Sequence, residues 1–357
     1  MKILIINTIP FNLNGMSMTI MNYFNHFDHT KFHVDFVVNG LIEEVFSKNI
    51  QSHGGKIFLF KSRNRNPINY AFRLHRIIQE NHYDLIYIHG NSATMSFELV
   101  ACVGTGAKTV VHAHGQSTDH PILHKLLYPF FITHYDVAFA ASTLSGKWLF
   151  GQKKYEVINN GIEPRKFRFD SAKRERLRWQ QSLDTSTKVI LQVGSFTEQK
   201  NHSFAITLFN ELLHQNSNYR LWFLGEGPLK QSCIDRAKDL GISDKIKFFP
   251  PTVNTSDYYS AADLCIFPSK WEPFGIVALE AQAADLPVLL SDKFVKNVKL
   301  TENVHFLPLK VTKWVDKIQS LKTVVRGGHL TNFQEHGYDI NQNALDLQVR
   351  FEEILNE

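Results

Sequence analysis

The sequence predicts an α/β protein made of two doubly wound domains with parallel sheets. Three observations carry this. Apolar runs with β-branched residues alternate with helix-period segments almost throughout the chain. The alternation stops near the middle and restarts. A length of 357 residues with 43% hydrophobic content fits two domains of ordinary size better than one. Strands that are apolar throughout, separated by amphipathic helices, describe parallel sheets covered on both faces.

In the first half, strands are expected at residues 3–6, 34–38, 57–60, 85–88 and 109–111, with a weaker one at 137–140. Residues 67–82 place Ala71, Leu74 and Ile78 on one stripe and predict a helix. In the second half, strands are expected at 189–193, 221–224, 246–249, 264–267 and 288–290. Between the first two of these, Ala205, Leu208, Phe209 and Leu212 follow the i, i+3, i+4, i+7 spacing of an amphipathic helix. The join falls near residues 159–188. Its charges, among them Arg165, Lys166, Arg168, Lys173, Arg174, Arg176 and Arg178, read as a solvated linker and helix face. The expected domains are 1–162 and 163–339, with a C-terminal helix over 340–357 packing back on the first.

The net charge of +5 suits a partner bearing phosphates or an anionic membrane surface. No dense basic stripe or recognised module points to nucleic acid. Cys102, Cys233 and Cys265 are separated and lack metal-ligand spacing, which argues against a disulfide framework and for a reducing compartment. The opening MKILIINTIP has too short an apolar run for a signal peptide and reads as a first strand. No apolar run approaches the roughly 18 residues of a membrane span. The expected location is cytoplasmic, with a peripheral position on the inner membrane face as the alternative.

In open α/β sheets, ligands bind beyond the carboxyl ends of the strands, so with two such domains the cleft between them is the expected site. The strand at 264–267 runs into SKWEPFGIVALEAQAADLP at residues 269–287. Pro273 and Gly275 mark a tight loop that opens a helix. The backbone N–H groups of Phe274, Gly275 and Ile276 would then point out of the helix start, where the dipole favours an anion. Glycine lets a phosphate approach the backbone closely. Glu272 and Glu280 have seven residues between them, and each ionised carboxylate can accept from two neighbouring hydroxyls. Taken alone, these residues fit a sugar–diphosphate–nucleoside. They fit more simply a first-turn helix stabiliser at Glu272 and a surface glutamate at Glu280.

Glu272 to Glu280 resembles the E-x7-E signature of the family-4 glycosyltransferases. These are retaining enzymes with the GT-B fold of two facing Rossmann-like domains. Four further stretches agree in the family's order: Val157 to Glu163 (VINNGIE), Gln192 to Asn201 (QVGSFTEQKN), Phe223 to Pro228 (FLGEGP) and Tyr259 to Ser269 (YSAADLCIFPS). The similarity spans nearly the whole chain. It implies that Glu272 contacts the donor sugar, that Glu280 holds the ribose and that Lys200 neutralises the diphosphate. It also implies that His114, in Val110 to Gly115 (VVHAHG), lies near the donor sugar, whereas His89 and His112 read as structural. The catalytic candidates are Glu272 and His114. The donor-binding candidates are Gly15, Ser195, Lys200, Phe274, Gly275, Ile276 and Glu280.

The chain departs from the family pattern at several places. Ser195 stands where arginine is usual, and Asp285 where glycine is usual. The first loop has one glycine, Gly15, instead of two. Ser291 to Phe294 replaces a glycine-pair loop.

The chain contains no D-x-D triplet of the kind that holds Mg²⁺ or Mn²⁺ on a diphosphate, so no metal or other cofactor is expected. The expected activity is retaining transfer of a hexose from a nucleotide sugar, UDP-linked, to a saccharide or lipid-linked acceptor in exopolysaccharide or capsule synthesis. Residues 121–133 (PILHKLLYPFFIT) read as a buried helix, with a helix lying on a membrane surface as the alternative. Two rival functions remain open: a nucleotide-sugar epimerase on the same fold, and a non-catalytic sugar-binding partner of another transferase.

Overall fold

Among the described residues, thirteen strands and their connecting helices follow the alternation of the sequence. The computed structural model describes residues 1–61, 63–272, 274–322, 324–327 and 333–357. It divides into two compact units, Met1–Gly161 with Ile340–Glu357, and Ile162–Asp339.

The first unit runs β1 (Lys2–Asn7), α1 (Gly15–Phe24), β2 (His33–Asn39), α2 (Glu44–Ser52), β3 (Ile57–Phe60), α3 (Pro67–Asn81), β4 (Leu85–Gly90), α4 (Ser96–Cys102), β5 (Lys108–Ala113), α5 (Pro121–Phe131), β6 (Val137–Ala140), α6 (Thr143–Phe150) and β7 (Glu156–Val157). Its sheet is parallel throughout, in the order β3-β2-β1-β4-β5-β6-β7. Both faces are covered. Ile3, Ile5 and Phe36 face one apolar cluster, which includes Ile20 and Phe24 of α1 and Leu347 and Phe351 of the C-terminal helix Ile340–Asn356. Leu4, Ile6 and Ile86 face the other, with Leu74 and Ile78 of α3 and Leu99 of α4. This two-sided burial is why the strands read as unbroken apolar runs. Helix α3 starts with Pro67 behind an Asn66 cap and ends at His82 in the left-handed conformation.

The second unit runs α7 (Pro164–Phe167), α8 (Ser171–Gln180), β8 (Lys188–Val193), α9 (His202–Gln215), β9 (Tyr219–Leu224), α10 (Lys230–Asp239), β10 (Ile246–Phe249), α11 (Thr255–Ala261), β11 (Leu264–Phe267), α12 (Ile276–Ala283), β12 (Val288–Ser291), β13 (Val304–Leu307) and α13 (Val311–Ser320). Its parallel sheet has the order β10-β9-β8-β11-β12-β13. Both units therefore share one winding. The chain moves outward from the first strand in one direction, returns, and fills the other side. The reversal places a crevice at the carboxyl end of the first and fourth strands, which is β1/β4 in one unit and β8/β11 in the other.

Three sequence expectations change. The short edge strands β7 and β13 were not anticipated, because two residues and a four-residue VHFL run carry too little pattern. The basic stretch at the join is not a solvated face throughout. Arg174 donates to the carbonyls of Ser260, Ala261 and Ala262 at the end of α11, and pairs with Asp263 at 2.7 Å. Arg178 is buried and bonds the carbonyls of Ala261, Asp184 and Thr187. These guanidinium groups satisfy carbonyls that a helix end leaves without partners. Residues 121–133 are likewise not a fully buried helix. In α5, Phe131 is buried, whereas Ile122, Lys125 and Leu126 face solvent.

Candidate functional site

The loops after β8 and β11 meet at the switch point of the second unit. The Lys270 N–H donates to the Gln199 carbonyl at 2.8 Å, and the Asn201 side-chain amide donates to the Pro268 carbonyl at 3.1 Å. Gln192, at the end of β8, donates from its amide to the Lys200 carbonyl at 2.8 Å. Gly194 takes φ +151, and a Cβ there would lie 3.5 Å from the Lys200 side chain. These contacts aim Lys200 across the sheet end, where its Nζ donates to Glu272 Oε2 at 2.5 Å. Two candidates given separate duties by the sequence are thus one ion pair. Glu272 is buried, and the Ser269 hydroxyl also approaches the same oxygen at 3.3 Å. Ser269 is held in turn by the Ser291 hydroxyl, which donates to its carbonyl at 2.6 Å.

Gly275 precedes α12 with φ +89, in the left-handed region. A Cβ would stand 2.4 Å from a Phe294 ring carbon, so this turn requires glycine. The Ala278 N–H turns back to the Gly275 carbonyl at 2.9 Å, and the amides ahead of it have no acceptor within the helix itself. They and the dipole of α12 leave an electropositive helix start beside the Lys200–Glu272 pair. Phe274 contributes backbone only, because its ring is buried against Tyr338 with centroids 5.4 Å apart. Ile276 is half-buried as the first helical residue. Pro273 lies outside the described residues. Ser195, directly after Gly194, is exposed.

Glu280 is not a surface glutamate. It lies one turn into α12, is buried, and accepts a hydrogen bond from the Tyr259 hydroxyl at 2.8 Å. Burial pushes its carboxyl up to about 7, while the Tyr259 bond and the Lys166 charge act in the opposite sense. Tyr259 was visible in the sequence only as part of a motif. Its role as the partner of Glu280 had no local signal, since the two meet through the packing of α11 on α12.

Asp285 follows α12 with φ +53. Its N–H donates to the Gln282 carbonyl and the Leu286 N–H to the Ala281 carbonyl, which is the Schellman pattern of a helix end. That position favours glycine, which explains why glycine is usual there. Asp285 accepts from the Gly327 N–H at 2.7 Å. It is a helix-end residue at the opposite end of α12 from the electropositive start.

In the first unit, Gly15 is the exposed first residue of α1, and a Cβ there would touch nothing within 4 Å. His114 follows β5 and is half-buried, with its Nε2 2.8 Å from His89 Nδ1. His112 Nδ1 meets the Tyr87 hydroxyl at 2.5 Å. Burial pushes the His114 imidazole down to about 3, and His89 and His112 well below their ordinary value, so all three are neutral at pH 7. No described helix is long and apolar enough to cross a membrane.

Comparisons with known proteins bear on the family and the fold. The model for glycosyl transferases group 1 matches residues 173–323, and that for Glycosyltransferase Family 4 matches residues 13–166. The chain is 24% identical over 300 residues to the glycosyltransferase EpsF of Bacillus subtilis, covering 80% of this chain and 78% of that protein. It is 30% identical over 143 residues to the D-inositol 3-phosphate glycosyltransferase of Segniliparus rotundus, covering 38% of this chain and 31% of that one. Among solved structures, Anabaena HepE in complex with UDP and glucose superposes with a TM-score of 0.80 at 16% identity, covering 99% of this chain and 100% of that one. The sucrose-phosphate synthase of Thermosynechococcus elongatus gives a TM-score of 0.81 at 14% identity over the full length of both chains.

Proposed function

Because the chain belongs to the family-4 glycosyltransferases of GT-B type, we propose that it transfers a hexose from a UDP-sugar, with retention, to a saccharide or lipid-linked acceptor in cell-surface polysaccharide synthesis. The observation that carries this reading is the Lys200–Glu272 pair beside the start of α12, at the switch point of the second sheet. An incoming donor would exchange the pair for two better contacts. The Lys200 ammonium would turn to the diphosphate, together with the leading amides of α12. Glu272 would then accept from hydroxyls of the hexose. Glu280, held by Tyr259, is suited to accept from the ribose diol.

The chemistry follows from where charge develops. As the bond between the anomeric carbon and the phosphate oxygen breaks, negative charge grows on the leaving diphosphate and positive charge on the sugar ring. Lys200 and the helix dipole stabilise the first without reorganising. The acceptor oxygen bonds to the anomeric carbon on the face that the phosphate leaves, and the acceptor proton passes to the leaving phosphate oxygen. A cation on the diphosphate is not required when fixed positive groups take that load. His114 is assigned to a hydroxyl of the donor sugar.

The acceptor reading draws on the outer face of the first unit. Helix α4 packs against both α3 and α5. Across these three helices and the residues flanking them, Ile68, Phe72, Val103, Ile122 and Leu126 are exposed, with Arg65, Arg73 and Lys125 among them. An apolar surface set with cations suits an anionic membrane bearing a lipid-linked acceptor. The deciding experiment incubates the purified protein with a panel of UDP-sugars and membrane-extracted acceptors, with and without EDTA. Transfer that survives EDTA and disappears in Glu272→Ala supports the reading. Full activity in that variant would overturn it.

A further inference from the structure

We propose that His89, His112 and His114 form a binding site for a divalent d-block cation, for which zinc is the probe. His89 on β4 and His112 on β5 are direct partners across the parallel pair, and His114 is two residues further along the same face. Each imidazole offers one nitrogen, and the three lie within 4.8 Å of one another. Among the described residues, no other group of this kind was found.

The hydrogen bonding points to a missing partner at this place. His112 uses Nδ1 on the Tyr87 hydroxyl, leaving Nε2 buried without a hydrogen bond, in a residue only 1% exposed. His89 uses Nδ1 towards His114, and its Nε2 is also buried without one. A buried polar atom without a partner is destabilising, so three histidines with two such nitrogens among them are costly as packing alone. A cation accepting the His112 Nε2 lone pair gives that atom its partner and replaces the His89–His114 contact by two metal bonds.

The donor set chooses the ion. Imidazole nitrogens suit Zn²⁺, Cu²⁺, Ni²⁺ or Co²⁺, whereas Mg²⁺ and Ca²⁺ prefer oxygen ligands. Three imidazoles leave one position of a tetrahedral ion for water or a substrate oxygen. His89 and His114 would part by about 0.5 Å to reach zinc–nitrogen bonds of about 2.0–2.1 Å. The Tyr87 hydroxyl fixes the ring of His112 by occupying its other nitrogen, the support that metal-binding histidines ordinarily have. His114, half-buried beyond the end of β5, provides the way in.

One consequence rests on the functional reading given above: a cation held by His114 withdraws that imidazole from the donor sugar and inhibits transfer. The test uses the full chain, freed of metal by a chelator, then titrated with zinc by calorimetry and with cobalt by visible absorption. The expected result is one equivalent bound with the cobalt bands of a nitrogen-ligated tetrahedral site. Binding should weaken by about a hundredfold in folded His112→Phe and His89→Gln, and stay unchanged in the surface control His214→Ala. No uptake by the wild type, or uptake unaltered in both folded variants, overturns the site. Zinc inhibition that disappears in His112→Phe supports both the site and the role of His114. Zinc bound at the histidines without inhibition supports the site and removes His114 from donor binding.

Discussion

Lys200 Nζ and Glu272 Oε2 stand 2.5 Å apart although 72 residues separate them in the chain. One comes from the loop after β8 and the other from the loop after β11. The winding of the sheet alone makes these two loops neighbours. Each charge is the other's main compensation, with Glu272 buried and Lys200 about one-fifth exposed.

This pairing predicts a particular pattern in mutants. Lys200→Met leaves a buried carboxylate without a cation and should destabilise the second unit by about 3 kcal/mol. The double variant Lys200→Met/Glu272→Gln should recover most of that loss. Binding should separate by ligand. Lys200→Met should weaken UDP by about tenfold or more and leave uridine unchanged, because only the diphosphate needs the ammonium. Urea unfolding and calorimetry check both halves. An equal loss for UDP and uridine would show that Lys200 acts through the fold.

Glu280 predicts a pH dependence of stability. Its folded carboxyl is pushed up to about 7 from an ordinary 4.5, chiefly by burial. The folded state therefore binds this proton more tightly than the unfolded chain does. The contribution is fully present below pH 4.5 and is lost as pH rises to about 7, by roughly 3 kcal/mol in all. Glu280→Gln carries no such proton. Relative to the wild type it should therefore gain roughly 3 kcal/mol across that window, other groups being common to both proteins. Denaturant unfolding at the two ends of the window decides it. Parallel pH profiles for the two proteins would contradict the assignment.

How much of this was legible in the sequence depends on the range of the signal. Apart from the edge strands β7 and β13, the strands of both sheets were legible because two-sided burial writes itself as an apolar run, as at Val189 to Val193. The order in which they pair is a long-range property. So is the meeting of Lys200 with Glu272, although each could be proposed from its own motif. The Tyr259–Glu280 bond and the His89–His112 register arise from packing and strand pairing, which no local pattern encodes. Charge misled at the join, because Arg174 and Arg178 look like a solvated run until the carbonyls at the end of α11 are placed beneath them.

Asp285 offers a test of backbone strain that is separate from the site. It holds φ +53 at the end of α12, where a non-glycine residue costs about 1 kcal/mol, and its carboxylate offsets this by accepting from Gly327. Asp285→Ala keeps the strain and loses the bond, so it should destabilise by about 2 kcal/mol. Asp285→Gly loses the bond and relieves the strain, so it should cost about 1 kcal/mol less. UDP affinity should be unchanged in the glycine variant, since the anion-facing end of α12 is the other one. A glycine variant less stable than the alanine variant would refute the strain account.

The outer face of α5 gives the last prediction. Ile122 and Leu126 are one helical turn apart and 78% and 71% exposed, with Lys125 between them, while Phe131 anchors the opposite side in the core. A helix so arranged can lose its outer apolar groups without losing its packing. Burying two such side chains in a membrane contributes about 3 kcal/mol or more, and Lys125 adds about 1 kcal/mol on an anionic surface. Ile122→Asp/Leu126→Asp should therefore lower co-sedimentation with anionic vesicles by at least about tenfold at an unchanged melting temperature. Phe130 is a poorer probe, because its ring is half-buried and stacks on His134, so a charge there would also disturb the fold. Added salt should weaken wild-type binding in part only, since the apolar share is not screened. Vesicle binding that is abolished by salt, and unaltered in the double variant, would assign the interaction to Arg65, Arg73 and Lys125 alone and take α5 out of the membrane.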